Sequence, residues 1–109
     1  LNFTHGDYVP IHHAKKHLSS YKENIMYGHT HDLQRFTETG LGGTQSAWSL
    51  GCLKDMSSEK NKWLKGNLHN WNHAFAIIDW FKNGDFKVEV VEIIKGRTTV
   101  WGELLDGKC

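Results

Sequence analysis

Asn24-Ile25-Met26-Tyr27-Gly28-His29-Thr30-His31 is the stretch on which the reading of this chain turns. Asn24 to Tyr27 lacks polar alternation, which predicts a short buried strand running into a loop. A strand ending at Tyr27 delivers the backbone to a sharp turn at Gly28, and that turn aims His29 and His31 into one cavity. Two imidazoles one residue apart do not easily chelate one ion side by side. They can bind two adjacent ions, the arrangement of a two-metal hydrolytic site. Upstream, Phe3-Thr4-His5-Gly6-Asp7 repeats the pattern of a short extended run, then histidine and glycine. Both clusters fall at strand-to-loop exits, where α/β proteins keep their active sites. Alone, His29 and His31 also admit a plainer reading, as a turn histidine and a hydrogen-bonded core histidine. With His5-Gly6 upstream, a histidine-rich metal site acting on a phosphoester is the expectation.

His5-Gly6 followed by Gly28-His29-Thr30-His31 resembles the last two motifs of the calcineurin-like metallophosphoesterases. The resemblance implies two divalent ions, Mn, Zn or Fe. It gives His5 and His29 to one ion and His31 to the other, with this chain alone binding one or none. It also implies an α/β fold, part of a metallophosphoesterase sandwich. The family's earlier motifs, Asp-x-His, Gly-Asp-x-x-Asp and Gly-Asn-His, do not occur in these 109 residues. They carry the bridging aspartate, the asparagine ligand and the histidine that assists the leaving group. The resemblance is therefore to the C-terminal half of such an enzyme, from roughly Phe3 to Phe81, and it assigns no catalytic residue here.

Thirteen basic and twelve acidic side chains leave a formal charge of +1, so nothing broadly attracts nucleic acid or anionic lipid. A hydrophobic fraction of 39%, with five Trp and five Phe, suffices for a real core in a single domain spanning 1–109. No apolar run approaches the ~20 residues that span a bilayer, so no membrane partner is expected. Leu1-Asn2-Phe3 carries neither an initiator Met nor a signal-like segment, and reads as the middle of a strand in a fragment of a larger domain. Cys52 and Cys109 make poor material for a disulfide framework and fit a reducing, cytoplasmic compartment.

Pro10 is placed to open a helix, and Ile11, Ala14, Leu18 and Tyr21 recur at three- and four-residue spacing. That spacing predicts an amphipathic helix at about residues 11–22, with His12, Lys15, Lys16 and Ser20 on its wet face. His13 and His17 have the spacing of a zinc-binding pair, but Ala14 stands where a metalloprotease needs its Glu. Both are read as solvated surface histidines, or more weakly as contacts for a substrate phosphate. Leu33 to Thr39 predicts a strand with one exposed face, and Gly40-Leu41-Gly42-Gly43 a turn. Trp48, Leu50 and Cys52 alternate with small residues, as in a strand with one buried face, Cys52 being a small buried apolar residue. Lys54 to Asn72 is polar and aperiodic and predicts a long surface excursion. There Asn67, His69 and Asn70 could line a substrate entrance, while Trp63 and Trp71 pack down on the sheet or stack on a nucleobase.

Ala74 to Phe81 is almost wholly apolar and reads as a central strand. Asn83-Gly84 predicts a type I′ hairpin carrying the two longest strands, with a bulge where the apolar phase slips to Val91 and Ile93. Lys95-Gly96-Arg97 turns again before a last short strand at Thr98 to Trp101. The sum is mostly β-strands, one helix and a C-terminal β-hairpin, in a four- or five-stranded mixed or antiparallel sheet.

Three functional expectations stand side by side. The chain is the C-terminal part of a binuclear enzyme hydrolysing phosphomonoesters or phosphodiesters; or a non-catalytic module with a vestigial histidine site that binds a partner or nucleic acid; or a fragment completed by another chain. His5, His29 and His31 are ligands in the first reading, with Asp7 or Asp32 as outer partners fixing their tautomers. A fragment of this kind also leaves apolar surface, with Trp48, Ile77, Trp80 and Val90 as its exposed members. That predicts association with the missing N-terminal half or a homo-oligomer.

Overall fold

The computed structural model describes residues 1–55 and 71–107. Most of the predicted surface excursion, including Trp63, Asn67, His69 and Asn70, lies outside them. The elements in chain order are β1 (Asn2–Phe3), α1 (His13–Tyr21), β2 (Ile25–Tyr27), β3 (Leu33–Gly40), β4 (Gly43–Leu50), β5 (Ala74–Trp80), β6 (Phe86–Glu92), β7 (Arg97–Val100) and β8 (Glu103–Asp106). The first four strands form a mixed sheet in the order β1-β2-β4-β3. β1, β2 and β4 run parallel, and β3 folds back antiparallel on β4 through the Leu41-Gly42 turn. The described residues are thus mixed α/β, mostly strands with one short helix on a sheet.

The two faces of this sheet are covered by different elements. Ile25, Tyr27 and Ala47 point to α1 and pack on Ala14 and Leu18, with Phe36 alongside. Burying a leucine such as Leu18 contributes roughly 1.5–3 kcal/mol, far more than the propensity of a nine-residue helix supplies. Met26 and Trp48 pair in register and point the other way. There the Trp48 ring meets Phe86 of β6 edge-on at 6.2 Å, with the Arg35 guanidinium 5.5 Å from its centroid.

Several expectations give way here. The helix begins at His13 rather than near Ile11, because residues 10–12 form a bend and turn. Its buried stripe is His13, Ala14, His17 and Leu18, while Ile11 and Tyr21 are exposed. The two histidines read as solvated are therefore core residues, 2% and 0% exposed. β4 is covered on both faces, from Ser46 to Ser49, so Trp48 is 5% exposed rather than part of an open surface. Trp80 and Val90 are exposed as expected, Ile77 is half-buried, and Cys52 is half-buried rather than fully enclosed.

The β5–β6 hairpin forms, but as a two-stranded ribbon whose strands have seven residues against eight in β3 and β4. Its turn is not type I′. Phe81 and Asp85 close the loop (N···O 2.8 Å), and the Gly84 N–H returns to the Phe81 carbonyl at 3.0 Å. Only Gly84 has positive φ (+93°), while Asn83 uses its side-chain oxygen to hold the Asp85 N–H at 3.0 Å. The ladder runs unbroken from Ala74↔Glu92 to Trp80↔Phe86, so no bulge interrupts it. The two-residue turns with positive φ at both centres are Lys95-Gly96 and Trp101-Gly102, and the second joins β7 to a strand the sequence did not suggest, β8. Among the described residues no helix is long and apolar enough to cross a membrane.

Candidate functional site

β1 and β2 lie side by side and parallel, so the segments leaving their C-terminal ends emerge on one edge. His5 follows β1 and His29 follows β2. Backbone bonds stitch the two exits together: the Thr4 N–H meets the Met26 carbonyl at 3.0 Å, and the His5 carbonyl accepts from Gly28 (3.2 Å) and His29 (2.8 Å). Their exposed rings end 4.7 Å apart, centroid to centroid, tilted by 57°. The glycine after His5 has a steric cause. Gly6 sits at φ +108°, and a Cβ there would lie 3.0 Å from both the His29 Cβ and the Tyr27 ring. No other residue fits that backbone and that gap together.

His31 sits at the end of the turn begun by Gly28, whose carbonyl accepts the His31 N–H at 3.2 Å. Its φ of +62° is a left-handed conformation that non-glycine residues adopt at a cost of order 1–3 kcal/mol, seen most often at functional sites. The His31 carbonyl in turn accepts the Asn72 N–H at 2.8 Å, and the Trp71 ring packs edge-on to the imidazole at 4.8 Å. Burial first, then the charges of Lys54, His29 and His5, hold the His31 pKa below the usual histidine value. It is therefore neutral near pH 7, the form that binds a metal.

Asp7 and Asp32, expected as outer partners of these imidazoles, are engaged elsewhere. Asp7 accepts from the Tyr21 hydroxyl. Asp32 accepts from His13 Nε2–H at 2.9 Å and 3.0 Å through its two oxygens, and from the Thr30 hydroxyl. His13 Nδ1 meets the Tyr27 hydroxyl. Burial and the Asp32 carboxylate raise the Tyr27 pKa well above its ordinary value, so Tyr27 stays a donor and His13 Nδ1 the acceptor. Next to this chain of bonds lies a cleft of about 480 Å³ walled by Val9, Ile11, His13, Thr30, Asp32 and Trp71. Sequence reasoning missed His13 and His17. The signal that could have found them is their adjacency to Ala14 and Leu18, which places all four on one helical stripe.

A shared ion would require a particular spacing of the two edge imidazoles. Rings bound to one ion by Zn–N bonds of ~2.0–2.1 Å at right or tetrahedral angles have centroids roughly 4.5–5.2 Å apart. The His5–His29 separation of 4.7 Å falls in that interval. Among the described residues no group of three or more His, Cys, Asp or Glu side chains is placed to hold an ion by itself. His5 and His29 are thus neighbouring imidazoles whose spacing suits a shared ion, but they are not a complete ligand set.

The chain is similar to the Gene 54 protein of Mycobacterium phage L5. The two are 32% identical over 83 residues, covering 74% of this chain and 32% of the phage protein, so the chain spans about a third of that relative's length. No family model and no solved structure matches it.

Proposed function

We propose that this chain is the C-terminal portion of a binuclear metallophosphoesterase, half of that family's sandwich, acting on phosphomonoesters or phosphodiesters. The observation that carries the reading is the convergence of His5 and His29 at the shared C-terminal edge of two parallel strands. His5 and His29 would hold one Mn, Zn or Fe ion. His31, on the same loop and kept neutral, would hold a second. Bound there, the ions would supply charge stabilisation and an activated water to an attack on phosphorus. The bridging and remaining ligands would come from a preceding half or from a partner chain. The chain's own contribution is to present the imidazoles of His5 and His29 side by side at one sheet edge.

A second reading, a non-catalytic binding module with a vestigial site, draws on the engagement of Asp7 by Tyr21 and of Asp32 by His13. Neither carboxylate is set to bridge two ions. Titration calorimetry with Zn²⁺ and Mn²⁺ tests the metal centre. His29→Ala and His31→Ala should each weaken binding at least ~10-fold, whereas His12→Ala, on the exposed side of the helix start, should leave it unchanged. Binding by His29→Ala equal to that of the unaltered chain would refute it. Metal-dependent turnover of a simple aryl phosphodiester by the chain joined to its missing half decides between enzyme and module.

A further inference from the structure

We propose that His13 and His17 form a two-armed brace that fixes the separation of the two histidine-bearing loops. The inference rests on the metal-centre reading above and adds to it two positioning residues that touch no proposed ligand through a ring nitrogen. His17 Nε2 accepts the Asp7 N–H at 3.0 Å and, more weakly, the Tyr8 N–H at 3.4 Å, so it grips the segment that follows His5-Gly6. Its Nδ1–H donates to the His13 carbonyl at 2.7 Å, which settles the tautomer and leaves Nε2 as the acceptor. His13, one turn earlier on the same helix, grips the other loop by donating from Nε2 to the carboxylate of Asp32, the residue after His31.

The far ends of both arms are tied down. Asp32 also takes the Thr30 hydroxyl through its carboxylate, and through its carbonyl the Gly51 N–H at 3.0 Å and the Ser49 hydroxyl. The Tyr27 ring stacks on His17 at 3.8 Å and its hydroxyl meets His13, so both arms bear on one residue of β2. A nine-residue helix needing only to cover the sheet would bury apolar side chains at these positions, because a buried polar group costs free energy unless it is fully bonded. Here both nitrogens of both rings are bonded, and every bond except the one within the helix reaches a motif loop or the strand that feeds it. The same occupancy removes these two histidines as a zinc-chelating pair: their rings stand edge to face at 6.4 Å with no nitrogen left to offer.

The test reads Zn²⁺ affinity by calorimetry beside amide hydrogen exchange. His13→Ala and His17→Ala should each weaken binding at least ~10-fold, the loss typical of removing an outer-shell support. His17→Gln, whose amide oxygen can still accept, should recover most of the affinity. In His17→Ala the Asp7 and Tyr8 amides should exchange faster while the β4 amides keep their protection, which separates a loosened loop from an unfolded domain. Alanine variants with intact β4 protection and wild-type affinity would overturn the brace. If the wild-type chain alone binds no metal, exchange alone judges the brace: unchanged Asp7 and Tyr8 amides in His17→Ala refute it, and faster ones sustain it.

Discussion

His17 has no exposed surface, and burial lowers its pKa, with the His13 carbonyl opposing that in part by bonding to Nδ1–H. The folded protein therefore holds it neutral. The unfolded chain titrates it near ~6.5. Between the lowered value and ~6.5 the unfolded state binds more protons, so stability rises with pH across that window. The contribution is fully present above ~6.5 and is lost as pH falls toward the folded value. His31 is shifted in the same direction and adds to the effect. Urea midpoints should drop between pH 7.5 and pH 5.5, and by less in His17→Gln; an equal drop in both proteins would remove His17 as the cause. At this scale the sequence was legible where a residue type has one use. Gly6 and Gly28 marked the turns, and His5 and His29 fell at strand exits. His13 and His17 were misread because the helical stripe was phased on Ile11 and Tyr21, whereas Ala14 and Leu18 set it on His13 and His17.

Among the elements, β4 ties the rest together. It pairs with β2 on one side and β3 on the other, lies under α1 with one face and under the β5–β6 ribbon with the other. Trp48 is the side chain that joins the sheet to the ribbon. Trp48→Ala removes an almost wholly buried indole and should cost about 3–5 kcal/mol, whereas Trp80→Ala, at an exposed ribbon end, should stay within roughly 1 kcal/mol. Chemical denaturation of the two variants checks this, and comparable losses would mean the ribbon does not cover the sheet through Trp48. The strands themselves were readable from apolar runs bounded by glycine. Their pairing was less so. Asn83-Gly84 carries the composition of a primed turn yet closes a three-residue loop, while Lys95-Gly96 and Trp101-Gly102 adopt left-handed φ with residues that rarely advertise it. Turn composition is a local preference, and the pairing of the flanking strands decides the loop that forms.

Over the whole molecule, apolar surface is left open at the margins. Phe3 on the edge strand β1, Trp80 and Phe81 at the ribbon end, and Trp101, Leu104 and Leu105 on the last hairpin are all exposed. The radius of gyration, 15.6 Å, exceeds the about 13 Å of a compact chain near 100 residues. Among the described residues β1 is also at the edge of its sheet, where a further strand could add. Exposed apolar side chains beside an unprotected edge favour association, and the proposed half-sandwich gives them a natural cover in the missing half of the domain. Sedimentation velocity of the chain alone should therefore show concentration-dependent association, and an apolar dye such as anilinonaphthalene sulfonate should bind it. Adding the preceding half of the domain, in cis or in trans, should suppress both signals and raise the unfolding midpoint. A chain that sediments as a monomer at high concentration and binds no dye would show that these side chains cover one another in solution. The half-sandwich would then lose its structural support even if His5 and His29 bind an ion.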